Sequence, residues 1–326
     1  MARIAVIGAG AWGTALAVQA VRAGGEGVLW ARDPARAATI AAARENARYL
    51  PGIPLPVALQ VTADAEAALA GAALALLAVP VQGMRATLAA LPAIAVPLLV
   101  CAKGVERDTH RLPLEILAEA WPGAVAGVLT GPNFAHEVAR GLPAAAVVAG
   151  ADPGLRATAL ALLSGPVFRL YGNDDAIGAQ VGGAAKNVIA IAAGAVIGAG
   201  LGENARAALV TRGLAELARL TLALGGRAET ASGLSGLGDL MLTTAGVGSR
   251  NMSLGLALGR GERLADVLAA RAGVTEGVAT APALVARARA AGVELPICEA
   301  VAELLQGGLT LAEAIARLMA RPLRDE

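Results

Sequence analysis

The first thirteen residues leave few folds open to this chain. An apolar run, Arg3–Ile7 (RIAVI), is followed at once by Gly8, Gly10 and Gly13 in GAGAWG, and then by a helical pattern over residues 14–23. Glycines at this spacing, after a first strand and opening a first helix, permit a tight turn and let a pyrophosphate approach backbone N–H groups at the positive end of the helix. Alone the pattern is weak; in this position it predicts a dinucleotide site, with an ordinary strand-to-helix turn as the alternative. Ala11 and Trp12 lie inside the turn and are expected to line the cofactor.

The second strand, residues 28–31, ends in Arg32 and Asp33. A carboxylate there would accept from the ribose 2′-OH of NADH, whereas Arg32 suits the 2′-phosphate of NADPH, so the sequence leans to NADPH with NADH possible. Asp33 before Pro34 reads as the cap of a helix over 34–44. The segment NARYLP at 46–51 is irregular, and its Tyr49 either touches the cofactor or packs. Beyond it come a capped helix at 64–70, a buried strand at 72–79, a helix at 81–91 and a strand at 97–102. Apolar strands alternating with helices mark a parallel sheet covered on both faces.

Lys103 then sits at a strand's carboxyl end, where such sheets bind ligands, and it is followed by Gly104. A strand at 124–130 leads through Gly131, Pro132, Asn133, Phe134 and Ala135 into a short helix ending at Arg140. The two histidines, His110 and His136, are taken as structural or surface groups. A strand at 167–171 closes an expected α/β domain, residues 1–173, with a Rossmann-like doubly wound parallel sheet.

From residue 174 strand signals stop, and residues 174–326 are expected to form an all-α domain. Its first feature is the run 178–202, which carries one charge, Lys186, among small and apolar residues and reads as a helix buried on all sides. Of 27 basic residues only Lys103 and Lys186 are lysine. Arginine does not release its proton whereas a desolvated lysine can, so Lys186 is the candidate proton donor. A helix over 204–224 follows, with Leu209, Leu214, Leu217, Leu220 and Leu224 on one side and Arg212, Glu216 and Arg219 on the other.

Residues 232–251 are glycine-rich, read as irregular, and contain Asp239 and the triplet Ser249, Arg250, Asn251. An arginine with hydroxyl and amide groups at a helix N-terminus is a ready phosphate site; an N-cap beside a surface arginine is the bland alternative. Val274 and Glu276, in VTEG, open another helix, where Glu276 caps or reaches the cofactor. The tail, 299–320, reads as two amphipathic helices joined at Gly307 and Gly308.

Composition narrows the partners. Lysine plus arginine less aspartate plus glutamate, 27 minus 26, gives +1, which provides no footprint for nucleic acid or an anionic membrane. Cys101 and Cys298 stand far apart among apolar neighbours, as reduced packing cysteines of a cytoplasmic protein do. No metal-ligand cluster and no signal peptide are expected. The longest uncharged runs are broken by Pro92 and Pro97 or studded with glycine, short of the roughly 20 apolar residues that span a bilayer. A small-molecule substrate is therefore expected, without membrane insertion; a homo-oligomer is possible.

GAGAWGTA at 8–15, NARYLP at 46–51, CAKG at 101–104, GPNFAHEVA at 131–139, AAKNVIAIAAG at 184–194, GLSGLGDLMLT at 233–243, SRN at 249–251, VTEGV at 274–278 and LPI at 295–297 run in one order over nearly the whole chain. In these the sequence closely resembles the bacterial NAD(P)H-dependent glycerol-3-phosphate dehydrogenases. The resemblance implies reduction of dihydroxyacetone phosphate to sn-glycerol 3-phosphate for phospholipid synthesis, with Lys186 transferring the proton. It places Lys103, Gly131, Asn133, Asp239, Ser249, Arg250 and Asn251 around the substrate. Around the cofactor it places Ala11, Trp12, Arg32, Ala135, Arg250, Val274 and Glu276. Family members often carry serine or threonine where this chain has Asn133.

The chemistry of the residues points the same way. A ketone accepting hydride develops negative charge on oxygen and needs an acid nearby, which a lysine in a low-dielectric helix becomes once its pKa is drawn towards neutrality. Two rival readings remain at this stage. One is a two-domain reductase of the same architecture acting on a 2-ketoacid or hydroxyacid; the other is a nicotinamide-binding sensor that performs no chemistry.

Overall fold

A computed structural model describes residues 1–92, 95–271 and 274–322. By its internal contacts the chain divides into two compact units. The first is Met1–Lys103 with Leu112–Gln180, and the second is Gly104–Arg111 with the chain from Val181 onward.

The first unit is built on eight strands: β1 (Arg3–Ile7), β2 (Glu26–Trp30), β3 (Gln60–Thr62), β4 (Ala72–Leu77), β5 (Leu98–Val100), β6 (Ala126–Thr130), β7 (Ala144–Ala149) and β8 (Phe168–Asn173). They lie in the order β3-β2-β1-β4-β5-β6-β7-β8. The order reverses at β1, whose carboxyl end is therefore the crevice where an α/β sheet of this kind holds a ligand. The helices between them are α1 (Ala11–Arg22), α2 (Pro34–Ala43), α3 (Ala65–Leu69), α4 (Val81–Ala90), α5 (Pro113–Ala120), α6 (Ala135–Arg140) and α7 (Pro153–Leu163). Ile4, Val6, Leu29, Leu74, Leu76, Leu99 and Leu129 alternate through the sheet into one core with Leu16 of α1 and Phe168 of β8.

Five features depart from the sequence reading. The sheet is parallel except where β7 runs antiparallel to β6. β7 itself (AAAVVA) begins with three alanines, which carry little strand preference, and only its place between β6 and β8 makes it a strand. The edge strand β3 and the helix α5 were not anticipated, and the strand expected over 97–102 is confined to Leu98–Val100.

Beyond β8 every element among the described residues is helical. They are α8 (Ala176–Gly198), α9 (Gly202–Ala223), α10 (Ala228–Ser232), a π-turn at Leu234–Gly238, α11 (Asp239–Thr244), α12 (Arg250–Gly259), α13 (Leu264–Ala269), α14 (Glu276–Ala290), α15 (Pro296–Gln306) and α16 (Leu311–Met319). Residues 232–251, expected to be irregular, thus hold a π-turn and a short helix. By length and composition α8 could cross a membrane, longer than the sequence reading allowed, yet 89% of its apolar window is buried inside the protein.

What surrounds α8 explains its small residues. A Cβ on Gly194 or Gly198 would strike the carbonyls of Met252 and Leu256 on α12, and a Cβ on Gly255 or Gly259 of α12 would strike those of Ile191 and Ala195 on α8. The two helices therefore touch backbone to backbone, with two glycines on each. Dispersion between main chains replaces side-chain packing at this crossing.

Glu216 of α9, expected on a polar face, is buried. Its carboxylate accepts from the backbone N–H groups of Ile297 (2.7 Å) and Cys298 (3.2 Å), the unpaired donors of the first turn of α15. A carboxylate from a different helix thus caps α15. Burial pushes the Glu216 carboxyl above the usual carboxylate range, against the pull of both N–H groups.

Replacing Gly255 by alanine is expected to lower unfolding stability by about 3 kcal/mol, whereas the same change at Gly246, which has open space around it, leaves stability within about 0.5 kcal/mol. Urea midpoints of the two variants check this. Glu216→Ala removes the acceptor for two buried donors and should cost about 2–4 kcal/mol in the same measurement.

Candidate functional site

In the first unit the three glycines of the turn do different things. Gly8 has φ +115°, and a Cβ there would press on the end of β4 at Ala78. A Cβ on Gly13 would strike the carbonyl of Gly8, so this glycine lets α1 pack onto the turn. A Cβ on Gly10 would meet nothing within 4 Å. The backbone at Gly10 is thus bare at the start of α1, and no side chain caps that helix. Helices α2, α3, α7 and α12 are capped by Asp33, Asp64, Asp152 and Ser249. An uncapped N-terminus behind an open glycine fits a dinucleotide pyrophosphate, which supplies the missing acceptors.

The turn is fixed from behind. Buried Asn46 donates its Nδ2 to the Ala9 carbonyl (3.0 Å) and to Thr14 Oγ1 (2.8 Å), and Thr14 Oγ1 donates to the Gly10 carbonyl (2.8 Å). Ala11 and Trp12 are half-buried, and the indole Nε1 has no hydrogen-bond partner among the described residues. Arg32 is exposed just past β2, while Asp33 accepts from the N–H groups of Ala35 (3.0 Å) and Arg36 (3.4 Å). Tyr49 is packed under guanidinium groups, with Arg36 Cζ 4.4 Å and Arg48 Cζ 5.4 Å from its ring centre.

Also in the first unit, Lys103 Nζ donates to the Gly131 carbonyl (3.0 Å). Gly131 has φ +134°, which lets the chain turn sharply after β6. Asn133 Nδ2 donates to the Ala145 carbonyl (3.0 Å) across to β7, and its Oδ1 is buried without a partner among the described residues. Ala135 is half-buried at the start of α6. His136 is exposed and stacks on Phe134, with ring centres 5.7 Å apart. Lys103, Gly131 and Asn133 therefore form one group at the carboxyl ends of β5 and β6.

The second unit holds the buried charge. Lys186, in the middle of α8, donates from Nζ to Asp239 Oδ1 at 2.6 Å and to Thr243 Oγ1 at 2.9 Å. The lysine side chain is 10% exposed and the aspartate fully buried, so one end of the pair is open to approach. Thr243 Oγ1 in turn donates to the Asp239 carbonyl (2.6 Å), locking the hydroxyl so that its lone pair faces the ammonium. The short contact describes an ion pair.

Beside this pair runs an amide chain. Asn251 Nδ2 donates to Asn187 Oδ1 (2.8 Å), Asn251 Oδ1 accepts from the Gly277 N–H (3.0 Å), and Asn187 Nδ2 lies 3.5 Å from Glu276 Oε2. It joins α8, α12 and the first turn of α14. Ser249 Oγ accepts from the Met252 N–H (3.2 Å), the helix-capping role weighed as the bland alternative. Arg250 is exposed at the first position of α12, and Arg271 fixes its backbone by donating Nη1 to the Arg250 carbonyl (2.8 Å) and Nη2 to Ser253 Oγ (2.9 Å). Val274 is exposed before α14.

With these two groups of residues described, the chain can be set against known proteins. Residues 3–156 match the NAD-dependent glycerol-3-phosphate dehydrogenase N-terminus and residues 175–316 its C-terminus. The chain belongs to this dehydrogenase family. It is 58% identical to the NAD(P)+ glycerol-3-phosphate dehydrogenase of Acidiphilium cryptum (strain JF-5) over 322 residues, covering 99% of this chain and 98% of that protein. To the Gluconobacter oxydans (strain 621H) enzyme of the same name it is 53% identical, covering 98% and 97%. The crystal structure of glycerol-3-phosphate dehydrogenase from Coxiella burnetii superposes with a TM-score of 0.93 at 36% identity, covering 98% of this chain and 99% of that one.

Membership of the dehydrogenase family gives no weight to individual side chains; the geometry does. Thr243 and Asn187 were not assigned a part by sequence reasoning. Both carried a signal in hindsight: Thr243 lies four residues after Asp239, on the same helical face, and Asn187 is the amide next to the only buried ammonium among the described residues.

Proposed function

We propose that this chain catalyses the reversible NAD(P)H-dependent reduction of dihydroxyacetone phosphate to sn-glycerol 3-phosphate, in the cytoplasm, feeding glycerophospholipid synthesis, with NADPH the preferred cofactor. The observation that carries the reading is the Lys186–Asp239–Thr243 cluster in the second unit of a chain belonging to this dehydrogenase family.

In this reading Gly8, Gly10 and Gly13, with the bare N-terminus of α1, Ala11 and Trp12, hold the dinucleotide; Ala135, Val274 and Glu276 contribute further cofactor contacts. A bound reduced nicotinamide supplies the hydride. The work of the chain is to place the ketone and to neutralise the oxygen. As the carbonyl carbon gains hydride its oxygen becomes an alkoxide, and Lys186 gives that oxygen a proton from Nζ. The amine left behind stays hydrogen-bonded to Asp239 and Thr243, which keep Nζ in place until it regains a proton from solvent. In the oxidative direction Lys186 accepts the hydroxyl proton.

The phosphate is remote from the reacting carbon, so its binding energy can be used for orientation. Arg250, exposed and pinned through its backbone by Arg271, is the group we assign to it. Asn251 and Ser249 hold the turn that presents Arg250, since Asn251 already serves Asn187 and Gly277 and Ser249 caps α12. Lys103, Gly131 and Asn133 take the remaining oxygens of the three-carbon substrate.

Oxidation of NADPH with dihydroxyacetone phosphate, compared with 2-ketoacids, tests the substrate: turnover with the ketoacids alone would overturn the reading. Lys186→Arg should fold and bind nucleotide yet lose about 10²–10⁴-fold in kcat, while full activity in that variant would remove the acid role. Arg250→Ala is expected to raise the substrate KM by about tenfold or more with thermal stability unchanged; an unaltered KM would assign the phosphate elsewhere.

A further inference from the structure

The carboxyl end of β2 carries more positive charge than Arg32 alone. Arg36, at the third position of α2, reaches back to the glycine turn and donates Nη2 to the Ala9 carbonyl. Its guanidinium lies over the Tyr49 ring, 4.4 Å from Cζ to the ring centre, with Arg48 at 5.4 Å from the same centre. Its Nε is buried with no partner among the described residues. Among the described residues no carboxylate forms an ion pair with it, and Asp33, the carboxylate that influences it electrostatically, is occupied with capping α2. Burial lowers the Arg36 pKa, and Arg48 adds to that effect.

An arginine kept for packing alone is usually neutralised when it is half-buried, because an uncompensated charge is costly to desolvate. Here Arg36 and Arg48 share the face of Tyr49 beside the glycine turn, Arg32 precedes Arg36 by four residues in the chain, and Arg36, the most buried of the three, is held on both sides. The carbonyl of Ala9 fixes one edge of the guanidinium and the tyrosine ring fixes its plane. A charge fixed in this way meets an anion without losing side-chain freedom, which an exposed arginine such as Arg32 must do.

We propose that Arg36, seated between the Ala9 carbonyl and Tyr49, is the residue that makes this chain distinguish the 2′-phosphorylated from the unphosphorylated adenosine ribose of its nicotinamide cofactor. Arg32 supplies a second, less ordered charge to the same phosphate. Tyr49 is then a positioning residue: it orients Arg36 and is not itself the discriminating group. This rests on the nicotinamide-binding reading of the glycine turn, but not on the identity of the substrate.

The test is binding without turnover. Kd values for NADPH and NADH are measured by nucleotide fluorescence, and for adenosine 2′,5′-bisphosphate against adenosine 5′-monophosphate by calorimetry, on wild type, Arg36→Met, Arg36→Lys and Arg32→Met. Methionine keeps an unbranched stem against Tyr49 and lysine keeps the charge. Arg36→Met should weaken NADPH and the bisphosphate by about tenfold to a hundredfold and NADH by less than about threefold. Arg36→Lys should fall between it and wild type, and Arg32→Met should lose less than Arg36→Met.

Equal weakening of NADPH and NADH would show that Arg36 only shapes the glycine turn and would overturn the proposal, as would unchanged NADPH binding. Arg36→Lys separates these outcomes from a folding defect should Arg36→Met prove unstable. Arg36-dependent NADPH binding together with no turnover of dihydroxyacetone phosphate by wild type would leave this inference standing and remove the substrate assignment instead.

Discussion

A charged pair between Lys186 of the buried helix α8 and Asp239 of α11 sets the conditions for the helical unit. Placing an ammonium and a carboxylate out of water costs several kcal/mol per ion after relaxation, and only close geometry with further hydrogen bonds returns it. Asp239 supplies the charge, Thr243 the extra bond, and the i to i+4 step along α11 places both on the same side of one short helix. That helix must in turn be held against α8. The π-turn at Leu234–Gly238 leads the chain into it, and its fit is tight, since a Cβ on Gly182 of α8 would strike the Ser235 carbonyl. The glycine-rich stretch and the buried charge are thus two aspects of one requirement.

The first unit meets the opposite requirement: it keeps backbone donors unpaired. Around the glycine turn, side chains satisfy the carbonyls of Ala9 and Gly10, while the N–H groups at the start of α1 receive no cap. Acceptors are satisfied and donors withheld, which is the polarity an anionic ligand needs. Asn46 does much of this from a distance of more than thirty residues in the chain, and its near-complete burial is the sign that the segment around it is part of the turn's support rather than a surface loop.

Much of this was legible in the sequence. The glycine spacing, the alternation of apolar strands with helices, the cessation of strand signals near residue 174 and the isolation of Lys186 each follow from local pattern and burial, so they could be read directly. What could not be read depended on partners far away in the chain. β7 is alanine-rich and becomes a strand only by lying between two others, against one of which it runs antiparallel. Glu216 fits the polar side of α9 by periodicity, yet it turns inward because the start of α15 needs an acceptor. Arg36 looks like an ordinary surface residue of a capped helix until the Ala9 carbonyl and Tyr49 are seen beside it. Ser249, Arg250 and Asn251 were identified as a group, but their division into cap, exposed cation and internal linker came from the hydrogen bonds.

The eight residues Gly104–Arg111, although they lie between two strands of the sheet in sequence, belong by their contacts to the helical unit, and Val105 among them is completely buried. The halves of this protein are consequently not separable by a single cut. A polypeptide beginning near residue 174 would lack a strip of its own interior, and one ending there would carry that strip with nothing to cover it. During synthesis, then, the earlier half must hold Val105 uncovered in an otherwise polar loop until the later half has left the ribosome.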